Sequence, residues 1–128
     1  MSKIFGAGID LIEISRISNS IKNKNFIDRI YSKSEIQKAR SLKNKSFYFA
    51  KRFAAKEAFS KALGTGFRMK LNFKDIEVVN DKMGKPNYVT NKKITKMIQN
   101  KFKIKKYNCF LSISDEKKYS TAFAIIQS

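Results

Sequence analysis

The sequence predicts a single α+β domain in which helices pack on a small antiparallel sheet. Three observations predict this class. The chain has 128 residues, near the usual size of one domain. Its apolar share of 42%, with eleven Phe and five Tyr, is enough for a core. The apolar residues follow helical spacing through most of the first half and alternate through much of the second. No linker, repeat or low-complexity segment interrupts them, so we expect one domain spanning residues 1–128.

The first predicted element is a strand at residues 3–9, where β-branched and aromatic residues surround Gly6 and Gly8. These glycines either relax the packing of the strand or allow another backbone or a ligand to approach closely. Asp10 is expected to end the strand, because residues 11–21 have their apolar side chains spaced as one face of a short helix.

Two more helices are predicted in the first half. Ser32 and Glu35 form a capping-box pattern, which predicts a helix that runs through about Leu42. A long helix at residues 47–63 is apolar nearly all the way round, and Gly64 ends it. Such an all-round apolar pattern is typical of a buried helix.

The second half predicts two hairpins and one further helix. Gly84 and Pro86 supply the turn chemistry of the first hairpin. In chain order, the predicted elements are a strand at 74–81, its partner at 87–90, a helix at 91–102 and a hairpin at 107–127. These elements complete the α+β prediction.

The charge is strongly basic, with 28 Lys and Arg against 10 Asp and Glu and a net charge of +18. Such a field favours a polyanionic partner: nucleic acid, an anionic membrane surface, a phosphate-rich small molecule or an acidic protein. The alternative is that Lys is simply the common surface residue of this chain. The arginines are more informative, because a guanidinium makes bidentate contacts to phosphate and carboxylate. They are Arg16, Arg29, Arg40, Arg52 and Arg68.

Histidine is absent and Cys109 is the single cysteine. Imidazole catalysis and zinc sites built on His or Cys are therefore excluded, and any metal must be a hard cation held by oxygen, with Mg²⁺ the first candidate. Cys109 cannot form an intramolecular disulfide, which favours a reducing compartment, and we expect a cytoplasmic protein. No apolar run approaches the roughly 18 residues of a membrane span, and the first ten residues are unlike a secretory signal.

Two carboxylates stand out, and each has a purely structural explanation. Glu57 lies four residues before Lys61 on the long helix, and such a pair contributes a few tenths of a kcal/mol. Asp10 with Glu13 matches an N-cap and N3 pair. The crowding of apolar residues around Glu57 argues against the simple pair, because a carboxylate in such surroundings needs a cation or hydrogen bonds.

Four motifs give these residues a context. They occur in a fixed order and are "GIDLIEISR" at 8–16, "RFAAKEAFSKALGTG" at 52–66, "NDKMGKP" at 80–86 and "SISDEKKYSTAFAII" at 112–126. Together they closely resemble the holo-acyl-carrier-protein synthase family, the short type of 4′-phosphopantetheinyl transferase. The resemblance covers essentially the whole chain, and the motif at 52–66 is its most specific part.

The resemblance implies an enzyme of fatty acid biosynthesis that moves the phosphopantetheine arm of coenzyme A onto a serine of apo acyl carrier protein. Adenosine 3′,5′-bisphosphate is released, and family members are homotrimers with active sites at subunit interfaces. Asp10 and Glu57 would hold Mg²⁺, and Lys61 would stabilise charge on the pyrophosphate. The implied coenzyme A contacts are Arg52, Ser60, Lys61, Gly64, Gly84, Lys85 and Pro86. Arg16 and Arg29 would contact the acidic carrier protein.

Asp115 departs from the family pattern, because many members have His at this position. The general base is then Asp115 itself, Glu57 acting through water, or a metal-bound hydroxide, and we favour a carboxylate acting through water. Asp115 as a third carboxylate beside the metal is also open. The implied catalytic residues are therefore Glu57, Lys61 and Asp115.

Two other functions compete with the active transferase. A non-catalytic RNA- or ribosome-binding protein is supported by the net charge, but the signatures of nucleic-acid modules are not found in the sequence. A degenerate transferase would bind coenzyme A or carrier protein without turnover. We expect the active transferase, with neither nucleic acid nor membrane as a partner.

Overall fold

A computed structural model describes residues 2–64 and 71–128. The Thr65–Gly66 end of the long motif and Arg68 lie outside the described residues. The elements in chain order are β1 (Ile4–Glu13), α1 (Ile14–Ser20), α2 (Lys24–Ile30), α3 (Lys33–Arg40), α4 (Lys45–Leu63), a 3₁₀ turn (Phe73–Asp75), β2 (Val78–Asn80), β3 (Pro86–Tyr88), α5 (Lys92–Phe102), β4 (Asn108–Asp115) and β5 (Tyr119–Gln127).

Two antiparallel sheets organise the chain. The larger has the strand order β1-β5-β4, and the smaller is the hairpin of β2 and β3. β1 pairs with β5 from Ile4↔Gln127 to Glu13↔Tyr119, so the two ends of the chain lie side by side. The helices pack on these sheets, and the predicted α+β class is confirmed.

Helix α4 lies directly against β1, and the glycines of β1 explain how. A Cβ added to Gly6 would lie 1.8 Å from the carbonyl oxygen of Ala62, and one added to Gly8 would lie 2.0 Å from that of Ala58. Any side chain at either position would collide with the helix backbone. Of the two explanations for the glycines, close approach of another backbone is the one that the structure supports.

Helix α4 is buried on nearly every side, as its sequence predicts. Ala54, Ala55, Ala58 and Phe59 are buried in the main core, and Gly64 ends the helix with a left-handed φ of 81°. A glycine accepts this conformation without steric cost. The capping box of Ser32 and Glu35 at the start of α3 is also present.

Strand β1 is longer than predicted, and this corrects the interpretation of Asp10. The strand continues to Glu13, and Glu13 itself precedes α1 without making a side-chain cap. Asp10 is therefore a strand residue, not an N-cap. The physical reason is the ladder with β5, which continues to Glu13 and outweighs the helical spacing of the apolar residues after Asp10.

No helix within the described residues is long and apolar enough to cross a membrane.

Candidate active site

Asp10 and Lys61 form an ion pair between β1 and α4. Lys61 Nζ lies 3.2 Å from Asp10 Oδ1 and donates a second hydrogen bond of 3.0 Å to the carbonyl oxygen of Ile9. The Lys61 side chain is 54% exposed, whereas that of Asp10 is 14% exposed. The purely structural explanation paired Lys61 with Glu57 along the helix; Lys61 instead bonds to Asp10 on the strand. The cause is the close packing of α4 on β1, which brings a second carboxylate within reach.

Glu57 lies one turn before Lys61 and is half-buried. Burial is the main cause that raises the pKa of Glu57, the negative charge of Asp10 raises it further, and Lys61 opposes both. The two carboxylates are therefore close enough to repel each other. The two predicted metal ligands, Asp10 on β1 and Glu57 on α4, therefore lie close to the predicted phosphate contact, Lys61.

The charge in this cluster is incompletely matched. Asp10 Oδ2 is buried and has no hydrogen-bond partner in the described part of the chain, although Asp10 Oδ1 is bonded to Lys61. Two carboxylates share one ammonium, so a second cation would be favourable beside them. Residues 2–64 and 71–128 contain no group of three or more Asp, Glu, His or Cys side chains placed to hold a metal. The donor set fits Mg²⁺, which keeps waters and substrate oxygens in its shell alongside one or two carboxylates.

A second region lies further back along α4 and is a cavity of about 140 Å³. It brings together four predicted site residues from three elements and one turn. Its lining residues are Lys51, Arg52, Asn80, Gly84, Pro86, Ile113 and Asp115. A larger cavity of about 710 Å³ shares Lys51, Arg52 and Asn80 with it, so the two are adjacent.

Arg52 is the fixed cation of both cavities and is only 5% exposed. Its Nη2 donates to Asn80 Oδ1 at 2.8 Å, and its guanidinium lies 4.1 Å from the centre of the Tyr48 ring. Among the residues that the structure describes, the buried Nε has no hydrogen-bond partner. A guanidinium held on two sides at the edge of a cavity is prepared to bind an anion.

The remaining predicted contacts are distributed around these two regions. Gly84 has a left-handed φ of 86°, in a turn where Asp81 Oδ1 accepts from the amide of Lys85 at 2.9 Å. Lys85 is exposed, and Ser60 is buried in α4. Neither lines the two cavities described above. The two predicted carrier contacts, Arg16 on α1 and Arg29 on α2, are both exposed.

Asp115 ends β4 and makes an ion pair with Lys51, with 3.8 Å between Oδ2 and Nζ. Lys51 and Lys61 are ten residues apart on α4, which corresponds to roughly 15 Å along the helix. Within one chain, Asp115 therefore lies with the cavity and away from the Asp10 cluster. Its role as the base stays a prediction.

The sequence did not reveal a second, fully buried ion pair. Lys56 Nζ lies 2.8 Å from Glu35 Oε1, and the two side chains are 0% and 1% exposed. The capping box had already explained Glu35, and Lys56 appeared only as part of a motif. The one available signal was the position of Lys56 in an otherwise apolar stretch, where a Lys needs a partner.

Comparisons with known proteins agree with the motifs. A model of the 4'-phosphopantetheinyl transferase superfamily matches residues 6–124 of this chain. A holo-[acyl-carrier-protein] synthase of Pelagibacter ubique is 59% identical over 125 residues, covering 98% of each chain. One of Fusobacterium nucleatum is 42% identical, covering 96% of this chain and 98% of its own.

Solved structures match as well. A holo-(acyl-carrier-protein) synthase from Bacillus anthracis, in complex with CoA (3',5'-ADP), is 38% identical with a TM-score of 0.81, over 98% of this chain and 97% of its own. The enzyme from Neisseria meningitidis is 34% identical with a TM-score of 0.86, over 97% and 98%. The predicted enzyme class is confirmed: this chain belongs to the 4′-phosphopantetheinyl transferase superfamily.

Proposed function

We propose that this protein transfers the 4′-phosphopantetheine group from coenzyme A to a serine of apo acyl carrier protein and releases adenosine 3′,5′-bisphosphate. The observation that carries the proposal is the cluster of Asp10, Glu57 and Lys61, in a chain whose relatives are named holo-[acyl-carrier-protein] synthases. The reaction breaks a pyrophosphate bond, so the residues around it must manage negative charge.

Asp10 and Glu57 are the residues that would hold Mg²⁺. The unpartnered Asp10 Oδ2 and the raised pKa of Glu57, caused by burial and by Asp10, both favour a cation between the two carboxylates. The chemistry that the ion supplies when bound is neutralisation of charge on the pyrophosphate oxygens. That this protein uses Mg²⁺ is part of the proposal.

Lys61 is placed to serve the leaving group. Its ammonium is half exposed and uses two of its three donors, on Asp10 and on the carbonyl oxygen of Ile9. The third donor is available to a phosphate oxygen of coenzyme A. Charge that develops on the departing phosphate would be stabilised there without rearrangement of the fold.

Glu57, acting through a water, is the base that we favour. As a carboxylate it can accept a proton through an intervening water. The carrier serine Oγ forms a bond to the phosphorus of the pantetheine phosphate as the pyrophosphate P–O bond breaks. The serine proton passes through the water to Glu57, and adenosine 3′,5′-bisphosphate leaves.

The nucleotide end of coenzyme A would occupy the cavity beside Arg52. The guanidinium of Arg52 suits a phosphate, and Gly84 and Pro86 line the same cavity. Related holo-acyl-carrier-protein synthases from Bacillus anthracis and Helicobacter pylori have been solved in complex with coenzyme A, which supports this proposal. Ser60, Gly64 and Lys85 remain proposed contacts on the strength of the motifs.

We also propose the homotrimer that the resemblance implies. The face of the larger sheet that points away from α4 carries a group of exposed apolar side chains from all three strands. They are Ile9, Leu11, Phe110 and Phe123. Such a patch is typical of an interface between protein chains, and a second copy of this chain would cover it. Light scattering at several concentrations would test this, with Phe123→Glu as the interface variant.

The acidic carrier protein and a cytoplasmic location complete the proposal. The net charge of +18 would attract an acidic carrier, and exposed Arg16 and Arg29 are the proposed contacts. Arg16→Glu should raise KM for the carrier and leave KM for coenzyme A unchanged. Added salt should reduce the association rate of the wild type more than that of this variant.

The decisive experiment is a transfer assay. Incubation with coenzyme A, Mg²⁺ and apo acyl carrier protein should add one phosphopantetheine mass to the carrier, as measured by mass spectrometry. A carrier whose acceptor serine is replaced by alanine is the control and should gain nothing. Absence of the mass gain with every divalent ion tried would overturn the transferase and leave a binding-only protein. The RNA-binding alternative still rests on net charge alone.

A further inference from the structure

We infer that the buried pair of Lys56 and Glu35 positions the coenzyme A cavity by fixing β2 against α4. The inference rests on the proposed function, because it assigns a role to residues that lie outside the proposed catalytic cluster. Neither residue lines the small cavity beside Arg52, and Glu35 lines only the larger cavity next to it. Both act on the segment that leads into the small cavity.

Lys56 uses all three of its donors inside the protein. Its Nζ donates to Glu35 Oε1 at 2.8 Å, to the carbonyl oxygen of Ile76 at 2.8 Å and to that of Phe73 at 3.0 Å. An ammonium has three donors, so no donor of Lys56 is left for a ligand. Two of the three acceptors belong to the backbone that immediately precedes β2.

Glu35 completes the attachment. Its Oε1 also accepts from the amide of Ser32 at 2.8 Å, and its Oε2 accepts from the amide of Val78 at 2.9 Å. Val78 is the first residue of β2. The pair therefore holds three backbone groups where α3 meets α4: Phe73 and Ile76 through Lys56 of α4, and Val78 through Glu35 of α3. A buried polar network that is fully satisfied makes its surroundings rigid.

The position of Val78 decides the position of Asn80. Residues two apart in a strand point to the same face, so fixing Val78 directs the Asn80 side chain toward α4. There Asn80 Oδ1 accepts from Arg52 Nη2 at 2.8 Å. Arg52 lies four residues before Lys56, one turn along the same helix. Val78, at the beginning of β2, is connected to Lys56 through Glu35, and Asn80, at its end, is bonded to Arg52. Both ends of β2 are therefore connected to adjacent turns of α4.

The consequence concerns coenzyme A binding rather than the chemical step. Asn80, Gly84 and Pro86 line the small cavity together with Arg52, and Asn80 is bonded directly to Arg52. Loosening β2 would move Asn80 and the turn after it relative to Arg52 and so change the shape of the cavity. Asp10 and Lys61 would be unaffected, because their contact joins α4 to β1.

The test is the double variant Lys56→Met with Glu35→Gln, which removes both charges together. A single Lys56 variant would leave a buried carboxylate unpaired. We expect KM for coenzyme A to rise about tenfold, with kcat and KM for the carrier changing less than about twofold. Calorimetric titration with coenzyme A alone should give the same loss of affinity.

The matched control is Ile98→Ala on α5. Ile98 is completely buried and lines neither cavity, so this variant loses stability without touching the nucleotide region. Both variants are assayed well below their melting temperatures. A rise in KM for coenzyme A in the double variant alone supports positioning. An equal KM in both variants, or a fall in kcat instead, overturns it.

A milder variant and a measurement on the wild type cover the case in which the double variant does not fold. Glu35→Gln keeps the shape and should raise KM for coenzyme A about threefold, less than the double variant. In the wild type, the Val78 amide should exchange its hydrogen as slowly as the core of α4. Fast exchange there would overturn the inference. A wild type that binds coenzyme A but transfers nothing would contradict the proposed function and leave the positioning test intact.

Discussion

Two of the lysine–carboxylate pairs on helix α4 have their lysines five residues apart, and they differ in how completely they are satisfied. Lys56 and Glu35 are almost fully buried, and Lys56 has a partner for each donor. Lys61 and Asp10 form the more exposed pair, with one buried carboxylate oxygen unpartnered and with Glu57 close by. The same two chemical groups therefore make a closed network in one place and an open one in the other.

The difference separates a structural role from a ligand-binding role. A closed network has nothing to offer a substrate, and opening it would leave buried groups without partners. An open network gains when a ligand supplies the missing partner. Burial alone would have suggested Lys56 as the functional residue, because a fully buried lysine is more unusual than an exposed one.

The largest expected effect is on stability, when the lysine of each pair is replaced by alanine in two separate variants. Lys56→Ala leaves Glu35 buried and unpaired and should lower the free energy of unfolding by about 3–5 kcal/mol. Lys61→Ala removes an exposed ammonium and should lower it by less than about 1 kcal/mol. Urea denaturation followed by circular dichroism measures both. Equal losses would show that the two pairs do not differ as argued.

The next effect is on activity. Asp10→Asn and Glu57→Gln should each reduce kcat by roughly 10²–10³-fold, because each removes one of the two carboxylates that would hold Mg²⁺ at the pyrophosphate. The transfer assay measures this, with circular dichroism to check that the fold is kept. Near-normal activity in either variant would remove that residue from the proposed metal site. Gln37→Ala, at an exposed position of α3 that lines neither cavity, is a control that should leave kcat unchanged.

Much of the fold could be predicted because the signals are local. The all-round apolar pattern of α4 and the glycine after it are properties of adjacent residues, and both are confirmed. The same holds for the capping box of Ser32 and Glu35. The predicted extent of β1 was wrong, because the length of this strand depends on its pairing with β5 at the other end of the chain. Local spacing contains no information about that partner.

The site shows the same limit. The motifs identified Asp10 and Glu57 as site residues. The partner of Lys61 depends on how α4 crosses β1, and local spacing offered only Glu57, whereas the structure pairs Lys61 with Asp10. The ion pair of Glu35 with Lys56 was missed for a different reason. The Glu35 side chain serves the cap of α3 and the buried Lys56 at once, and the local role was sufficient to explain it.

A smaller effect concerns the stability of the open network. Burial and Asp10 raise the pKa of Glu57, so the folded state favours the protonated form. This contribution to stability is complete below the ordinary pKa of 4.5 and is lost as pH rises through the higher folded value. At pH 7.5 without metal, Glu57→Gln should therefore be the more stable protein, by at most about 1 kcal/mol after solvent screening.

Urea denaturation in a chelator at pH 7.5 and pH 4 measures this difference, which should shrink at the lower pH. Mg²⁺ should then stabilise the wild type more than the variant, because only the wild type offers two carboxylates. A wild type that is the more stable protein at pH 7.5 without metal would mean that Glu57 is already satisfied in the fold.

The smallest expected effect is at Asp115. Its ion pair with Lys51 is partly exposed and long, so Asp115→Ala should change stability by only a few tenths of a kcal/mol. If Glu57 is the base, the dependence of kcat on pH should be the same in the wild type, Asp115→Ala and Asp115→His, although the histidine would add a group that titrates near pH 6.5. A shift of the acidic limb in Asp115→Ala would transfer the role of base to Asp115. The open network would then extend across the sheet from β1 to β4, and the catalytic groups would no longer be confined to the Asp10 end of α4.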